Sequence, residues 1–356
     1  MSEIENNLSR GEPQQFSKQS MLTIRDSLII YGCIYDDVRG PVNEMWKIDT
    51  MRGICKKYQK PTSVEETCME SSICAVGGLV YIFGGVKYRP DDMGGVINNL
   101  DNHKSNSIIY FDTENGTWHN LSPNILLNDE NTPPPMFDAS MFHFNGSLYI
   151  FGGHGRGTFQ RSMYRFCLTT FKWSRVQQDG EIPRTEIYSV DGTVFQNKYY
   201  FFRRAERDLE ERFKRVTVFD LSTNLWKTNQ YPCNRVGESI AFSEGQGFMT
   251  GGMNGAEYFD DVWKIDLKTL EWTKFDQKLK TCRFEHVTSI VGNHSLYLFG
   301  GIFADRFDVL EMYVYSPLSL YSTAMVSLIR SGRLECNYMG LPPSIQDEFN
   351  IFLHQI

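Results

Sequence analysis

The sequence lacks the patterns that carry metal chemistry. Its eight cysteines (Cys33, Cys55, Cys68, Cys74, Cys167, Cys233, Cys282 and Cys336) form no CxxC pair, and none has ligand spacing with the seven histidines. They read as reduced thiols, with no metal or other cofactor expected. No run approaches the roughly 20 apolar residues of a membrane span. Residues 1–21, MSEIENNLSRGEPQQFSKQSM, lack the apolar core of a secretory signal, so a cytoplasmic and/or nuclear location is expected. On that expectation NGT at 115–117, NGS at 145–147 and NHS at 293–295 are turns and not glycosylation acceptors. Positive charge is short as well. Lys and Arg total 36 against 43 Asp and Glu, and the net charge of −7 argues against general binding to nucleic acid or an anionic membrane. Also missing are GxSxG, HExxH and any recognisable paired-acid or Cys/His constellation, so nothing points to an enzyme.

Glycine and aromatic residues are plentiful. With 29 glycines, 14% aromatics and only 22% charged residues, the composition favours strands and turns over long helices or disorder. The two kinds recur together. LYIFGG at 148–153 returns as VYIFGG at 80–85, LYLFGG at 296–301 and GFMTGG at 247–252, with a bent copy, YYFFRR at 199–204, and a degraded one, LIIYGC at 28–33. The first residues of these pairs are Gly32, Gly84, Gly152, Arg203, Gly251 and Gly300, separated by 52, 68, 51, 48 and 49. A polar, turn-rich insertion between Gly85 and Ser107 accounts for the long interval. A second marker keeps the same phase, an aspartate followed six residues later by tryptophan: Asp112 and Trp118, Asp220 and Trp226, Asp266 and Trp272. Cys167 replaces the acid before Trp173, and Cys55 replaces the tryptophan after Asp49.

An apolar-aromatic run such as LYIF suits a strand covered on both faces. Paired glycines suit a strand end where backbones crowd near a central axis. IIYFDTENGTW then reads as strand, tight turn and strand, its tryptophan packing between neighbouring units. One such sheet cannot bury two apolar faces alone, so the copies must stack radially into a ring. The period near 50 and the YIFGG…YxxD…W pattern resemble the kelch repeat. That resemblance implies an all-β fold, a six-bladed kelch-type β-propeller over residues 22–316, with blades near 22–60, 70–122, 136–178, 184–230, 235–276 and 283–316. Residues 1–21 would be a polar N-terminal segment.

Residues 317–356 break the pattern and read as a short helical segment. Leu320, Ala324 and Leu328 share one helical face after Ser316-Pro317, and Ile345, Phe349 and Phe352 form a second. Such helices either dock on the side of a propeller or present an apolar stripe to a partner. SLYSTAMVSL resembles the elongin-binding box at Leu320, Ala324 and Leu328, with alanine where cysteine is commoner. LPPSIQDEF resembles the cullin-2 box at Leu341, Pro342, Ile345 and Phe349. In this order behind a kelch propeller, they are similar to the kelch domain-containing substrate receptors of cullin-2 RING ubiquitin ligases. The resemblance implies a non-catalytic receptor that binds elongin B/C and cullin-2 and takes a substrate protein by a C-terminal peptide degron. The alternative is a kelch interaction scaffold, for example a cytoskeletal one, without a ligase link.

A propeller gathers its loops on one face, where function usually resides. Arg89, Arg156, Arg184, Arg235, Arg283 and Arg306 follow a glycine pair or precede a blade, which suggests a local cationic mouth. Guanidinium forks hold carboxylates bidentately. Arg235 and Arg283, with Tyr188 and Ser239, are the candidates for a substrate's terminal carboxylate, and Arg156, Arg184 and Arg204 widen the set. Each arginine could instead salt-bridge a neighbouring blade. RRAERDLEERFKR suggests an internal charge network around Arg203 and Arg204, and His286 is expected as a buried, hydrogen-bonded residue.

Overall fold

Each apolar run ahead of a glycine pair forms the second strand of an antiparallel sheet, and six such sheets follow one another along the chain. The computed structural model describes residues 18–36, 40–64, 70–86, 104–124, 129–183, 190–203, 216–229, 235–255, 257–302 and 310–317, together with Thr323 and Ser327. Blade one comprises β1 (Lys18–Ile24), β2 (Ser27–Asp36), β3 (Gly40–Asp49) and β4 (Ile54–Gln59). Blade two has β5 (Ser72–Val76), β6 (Leu79–Phe83), β7 (Ile108–Asp112) and β8 (Thr117–Ser122). Blade three has β9 (Met136–Phe144), β10 (Ser147–Gly155), a short β11 (Thr158–Phe159) turned back on β10, β12 (Met163–Cys167) and β13 (Trp173–Val176). In blade four, β14 (Asp179–Gly180) is added outside β15 (Val190–Phe195), β16 (Lys198–Arg203), β17 (Val216–Asp220) and β18 (Leu225–Asn229). Blade five has β19 (Ser239–Ser243), β20 (Gln246–Thr250), the small hairpin β21 (Met253–Asn254) and β22 (Glu257–Tyr258), β23 (Val262–Asp266) and β24 (Trp272–Lys274). Blade six has β25 (Phe284–Val291), β26 (Ser295–Ile302) and β27 (Glu311–Val314), three strands among the described residues. The protein is an all-β six-bladed propeller. Its first strand starts at Lys18, inside the stretch expected to be a separate polar segment.

First strands touch in the cyclic order β1, β5, β9, β15, β19, β25 and back to β1. Blade six therefore meets blade one. Thr23 Oγ1 lies 2.6 Å from Ser289 Oγ, and Gln19 Nε2 donates to the Phe299 carbonyl at 3.0 Å. Six apolar clusters accompany the six junctions, and each combines two neighbouring blades. At the closing junction Leu28, Ile30, Trp46 and Ile48 of blade one pack on Val291 and Phe299 of blade six. This is why a single sheet could not stand alone: both its faces are interior.

The tryptophans fill these junctions as the spacing predicts, each reaching the preceding blade. Trp118 lies 6.4 Å from Tyr31, Trp173 5.9 Å from Phe83, Trp226 4.8 Å from Phe151 and Trp272 6.4 Å from Phe202, measured between ring centroids. Tyr315 takes the corresponding place against Phe248, at 4.3 Å, in the last blade. The aspartates close the turn between third and fourth strands. Oδ1 of Asp49, Asp112, Asp220 and Asp266 each accepts two N–H groups from the next residues of the turn. In blade six the matching residue is Val314, which pairs with Ser295 as Asp112 pairs with Leu79 and Asp266 with Gln246. A valine cannot accept those bonds, and Pro317 follows three residues on. Beyond it, Thr323 and Ser327, one helical turn apart, are helical and exposed.

Candidate functional site

The glycine pairs decide where the loops emerge. All eight residues of the four pairs have positive φ, from 58° at Gly251 to 101° at Gly85, a region that costs other residues energy. A Cβ on Gly84 would sit 2.5 Å from the Met136 carbonyl oxygen at the entry of blade three, and Gly85 N donates to that same oxygen at 2.9 Å. Gly251 and Gly252 repeat this with the Arg283 carbonyl of blade six. These two pairs thus lock their blade's second strand to the entry of the next blade. They also turn the loop between second and third strands onto the end of the ring where the inter-blade linkers arrive.

Arg235 and Arg283 sit at two of these linkers, only 4% and 3% exposed. The Arg235 guanidinium forms a two-pronged pair with Asp261, Nη1 to Oδ1 at 2.5 Å and Nη2 to Oδ2 at 3.1 Å. It also donates to the Gly251 carbonyl at 2.8 Å, and its plane lies over Phe259. Burial alone would raise the Asp261 pKa. Hydrogen bonds and charge from Arg235, with help from Trp263 and Lys274, instead pull it to about 2. Arg283 bonds Glu311 at 2.7 Å, Thr281 Oγ1 at 3.0 Å and the Gly300 carbonyl at 3.4 Å, and burial lowers its own pKa. Both forks are therefore engaged by carboxylates of their own blades, whereas the sequence left open a salt bridge to a neighbouring blade. Ser239, in β19, is 3% exposed.

Arg156 is exposed at the tip of the β10–β11 hairpin, with φ of 51°. Behind it, buried Lys104 donates to His154 Nδ1 at 3.0 Å over the Phe137 ring. Tyr258, 44% exposed, stands on the β21–β22 hairpin beside Phe284. Tyr188, Arg184 and Arg204 lie outside the described residues, as do Leu320, Ala324, Leu328, Leu341, Pro342, Ile345 and Phe349. His286 is fully buried, with Nε2 2.8 Å from Thr250 Oγ1, as the sequence suggested.

A cleft of 510 Å³ at the outer rim of blade three was not foreseen. Arg161 and Ser162, just before β12, and Arg175 to Gln178, at and after the end of β13, form its walls, with Glu130 and Asn131 from the preceding linker. The available signal was the alternation in WSRV, which points Arg175 away from half-buried Val176. Among the described residues no group of three or more His, Cys, Asp or Glu could hold a metal ion, and no helix is long and apolar enough to cross a membrane.

The model of the KLHDC2/KLHL20/DRC7 Kelch-repeats domain matches residues 92–301, more than half of the chain. The chain belongs to this kelch-repeat family. Kelch domain-containing protein 10 of Homo sapiens is 21% identical over 322 residues, covering 84% of this chain and 69% of that protein. The Xenopus tropicalis protein of the same name is 21% identical over 314 residues, covering 82% and 72%. Kelch domain-containing protein 3 of Bos taurus is 26% identical over 231 residues, covering 57% and 59%. The kelch ring, with its glycine-locked loop face, is a protein-interaction propeller.

Proposed function

We propose that this kelch propeller is the substrate-recognition subunit of a cullin-2 RING ubiquitin ligase, working without bond-making chemistry of its own in the cytoplasm or nucleus. Its task is to raise the local concentration of a substrate near a ubiquitin-loaded partner. The observation that carries the reading is the order of the two boxes, Leu320/Ala324/Leu328 and then Leu341/Pro342/Ile345/Phe349, behind a ring in which β25 meets β1. The loop face takes a substrate's C-terminal peptide, with Arg156, the linker residues Arg184 and Tyr188, and Arg204 of the segment between β16 and β17 as its contacts. Arg235 and Arg283 support that face by holding its linkers. Affinity purification tests the reading: elongin B/C and cullin-2 should co-purify with the full chain and be lost with Leu320→Asp and Pro342→Ala. A chain that captures neither partner would be a kelch scaffold instead.

A further inference from the structure

The cleft at the rim of blade three is the part of the loop face whose cations point outward. Arg161 and Arg175 are both exposed, and among the described residues neither forms an ion pair. Each is anchored by one bond, Arg161 Nη2 to the Ile182 carbonyl at 2.9 Å and Arg175 Nη2 to Ser162 Oγ at 3.1 Å. A guanidinium has five N–H donors, so most of each fork still faces solvent. The floor is rigid. Gln178 accepts from the Trp226 indole at 2.9 Å and donates to the Arg161 carbonyl at 3.0 Å, tying the cleft to the junction of blades three and four. Two guanidiniums held in place with free donors suit oxyanions, which they bind with directional bonds.

We infer that this cleft binds an acidic stretch of a partner protein, with Arg161 and Arg175 taking side-chain carboxylates or phosphates. The inference rests on the reading of the loop face as a receptor for protein segments and assigns one of its contacts. An overall charge of −7 does not oppose it, because charges beyond about 8 Å are screened at physiological salt. Glu130 is the single acid among the described lining residues and sets the selectivity: a ligand must place its anions on the arginines and away from it. A segment fits better than a small anion, since the volume is that of several side chains.

The test is fluorescence anisotropy on the full chain with labelled octaglutamate, a peptide of alternating phosphoserine and glycine, and octaglutamine. The two acidic probes should bind at least about tenfold more tightly than octaglutamine, the phosphoserine probe ahead if phosphate is the natural group. Arg161→Ala with Arg175→Ala should remove that preference. Arg165→Ala, an exposed arginine of β12 outside the cleft, should leave it unchanged. Equal binding of octaglutamine, or equal losses from Arg165→Ala and the cleft variants, would overturn the proposal. Elongin and cullin-2 capture by the double variant is read in parallel: retained capture with lost peptide binding confines the defect to the cleft, while failed capture by the unmodified chain counts against the ligase reading alone.

Discussion

Cys167 shows how one position serves two chemistries. It occupies the turn-closing site held elsewhere by aspartate, and the same donors converge on its sulfur. The Thr170 hydroxyl and N–H, with the Thr169 N–H, lower the thiol from 9.0 to about 7. Cys74 sits in the opposite environment, where burial pushes it up to about 12. Iodoacetamide labelling followed by mass spectrometry should therefore modify Cys167 with a midpoint near pH 7 and, at pH 8, more than about tenfold faster than Cys74. The sign of the stability effect follows. Because folding depresses this pKa, the Cys167 contribution is complete above the unfolded value near 9 and is lost as pH falls through about 7. Cys167→Ser should flatten the rise in melting temperature between pH 7 and 9. The substitution of cysteine for aspartate was visible in the spacing before Trp173. The thiolate was not, because it depends on how the turn aims its N–H groups.

At the scale of the element, the arginine at the entry of blades five and six acts as a staple from linker to third strand. Arg235→Ala should cost about 3 kcal/mol in chemical denaturation, the low end for a broken buried pair, since Asp261 keeps Trp263 and Lys274. An arginine serving only a ligand would leave the denaturation midpoint unchanged. Asp261 also sets an acid limit: its depressed pKa supplies stability present above about 3.8 and lost as pH falls through about 2, so Asp261→Asn should be less acid-sensitive in that window. The recurrence of these arginines was legible, but their partners were not. Asp261 lies 26 residues beyond Arg235 and Glu311 lies 28 beyond Arg283, and only sheet register brings them together. The glycine pairs were legible as a strand end, yet the neighbour that crowds Gly84, Gly251 and Gly300 belongs to the next blade. Gly84→Ala, facing the Met136 carbonyl, should lower stability by more than Gly53→Ala, which has equal φ strain but nothing within 4 Å.

At the scale of the molecule, sequence period and ring geometry agree because every junction needs the same aromatic in the same phase. A blade count read from six strand ends survives in the six clusters. The join of the ring could not be read that way. Closure is set by contacts between the first and last first-strands, such as Thr23 with Ser289, residues far apart in the sequence. This closure makes the two ends of the chain unequal. β1 contributes Ile24 to the core and its neighbours to two junctions, so deleting residues 18–24 opens the ring and should abolish cooperative unfolding. Among the described residues, the contacts that close the ring all lie before Pro317. The last described strand of blade six ends at Val314, where the turn-closing acceptor is missing, and Tyr315 already fills the place of the junction tryptophan. A chain truncated after Pro317 should therefore melt cooperatively, with stability within about 0.5 kcal/mol of the full chain, while losing elongin and cullin-2 capture. A loss of several kcal/mol would instead mean that the tail is docked on the propeller as part of its fold, and the apolar face of Leu320, Ala324 and Leu328 would then be spent inside the molecule.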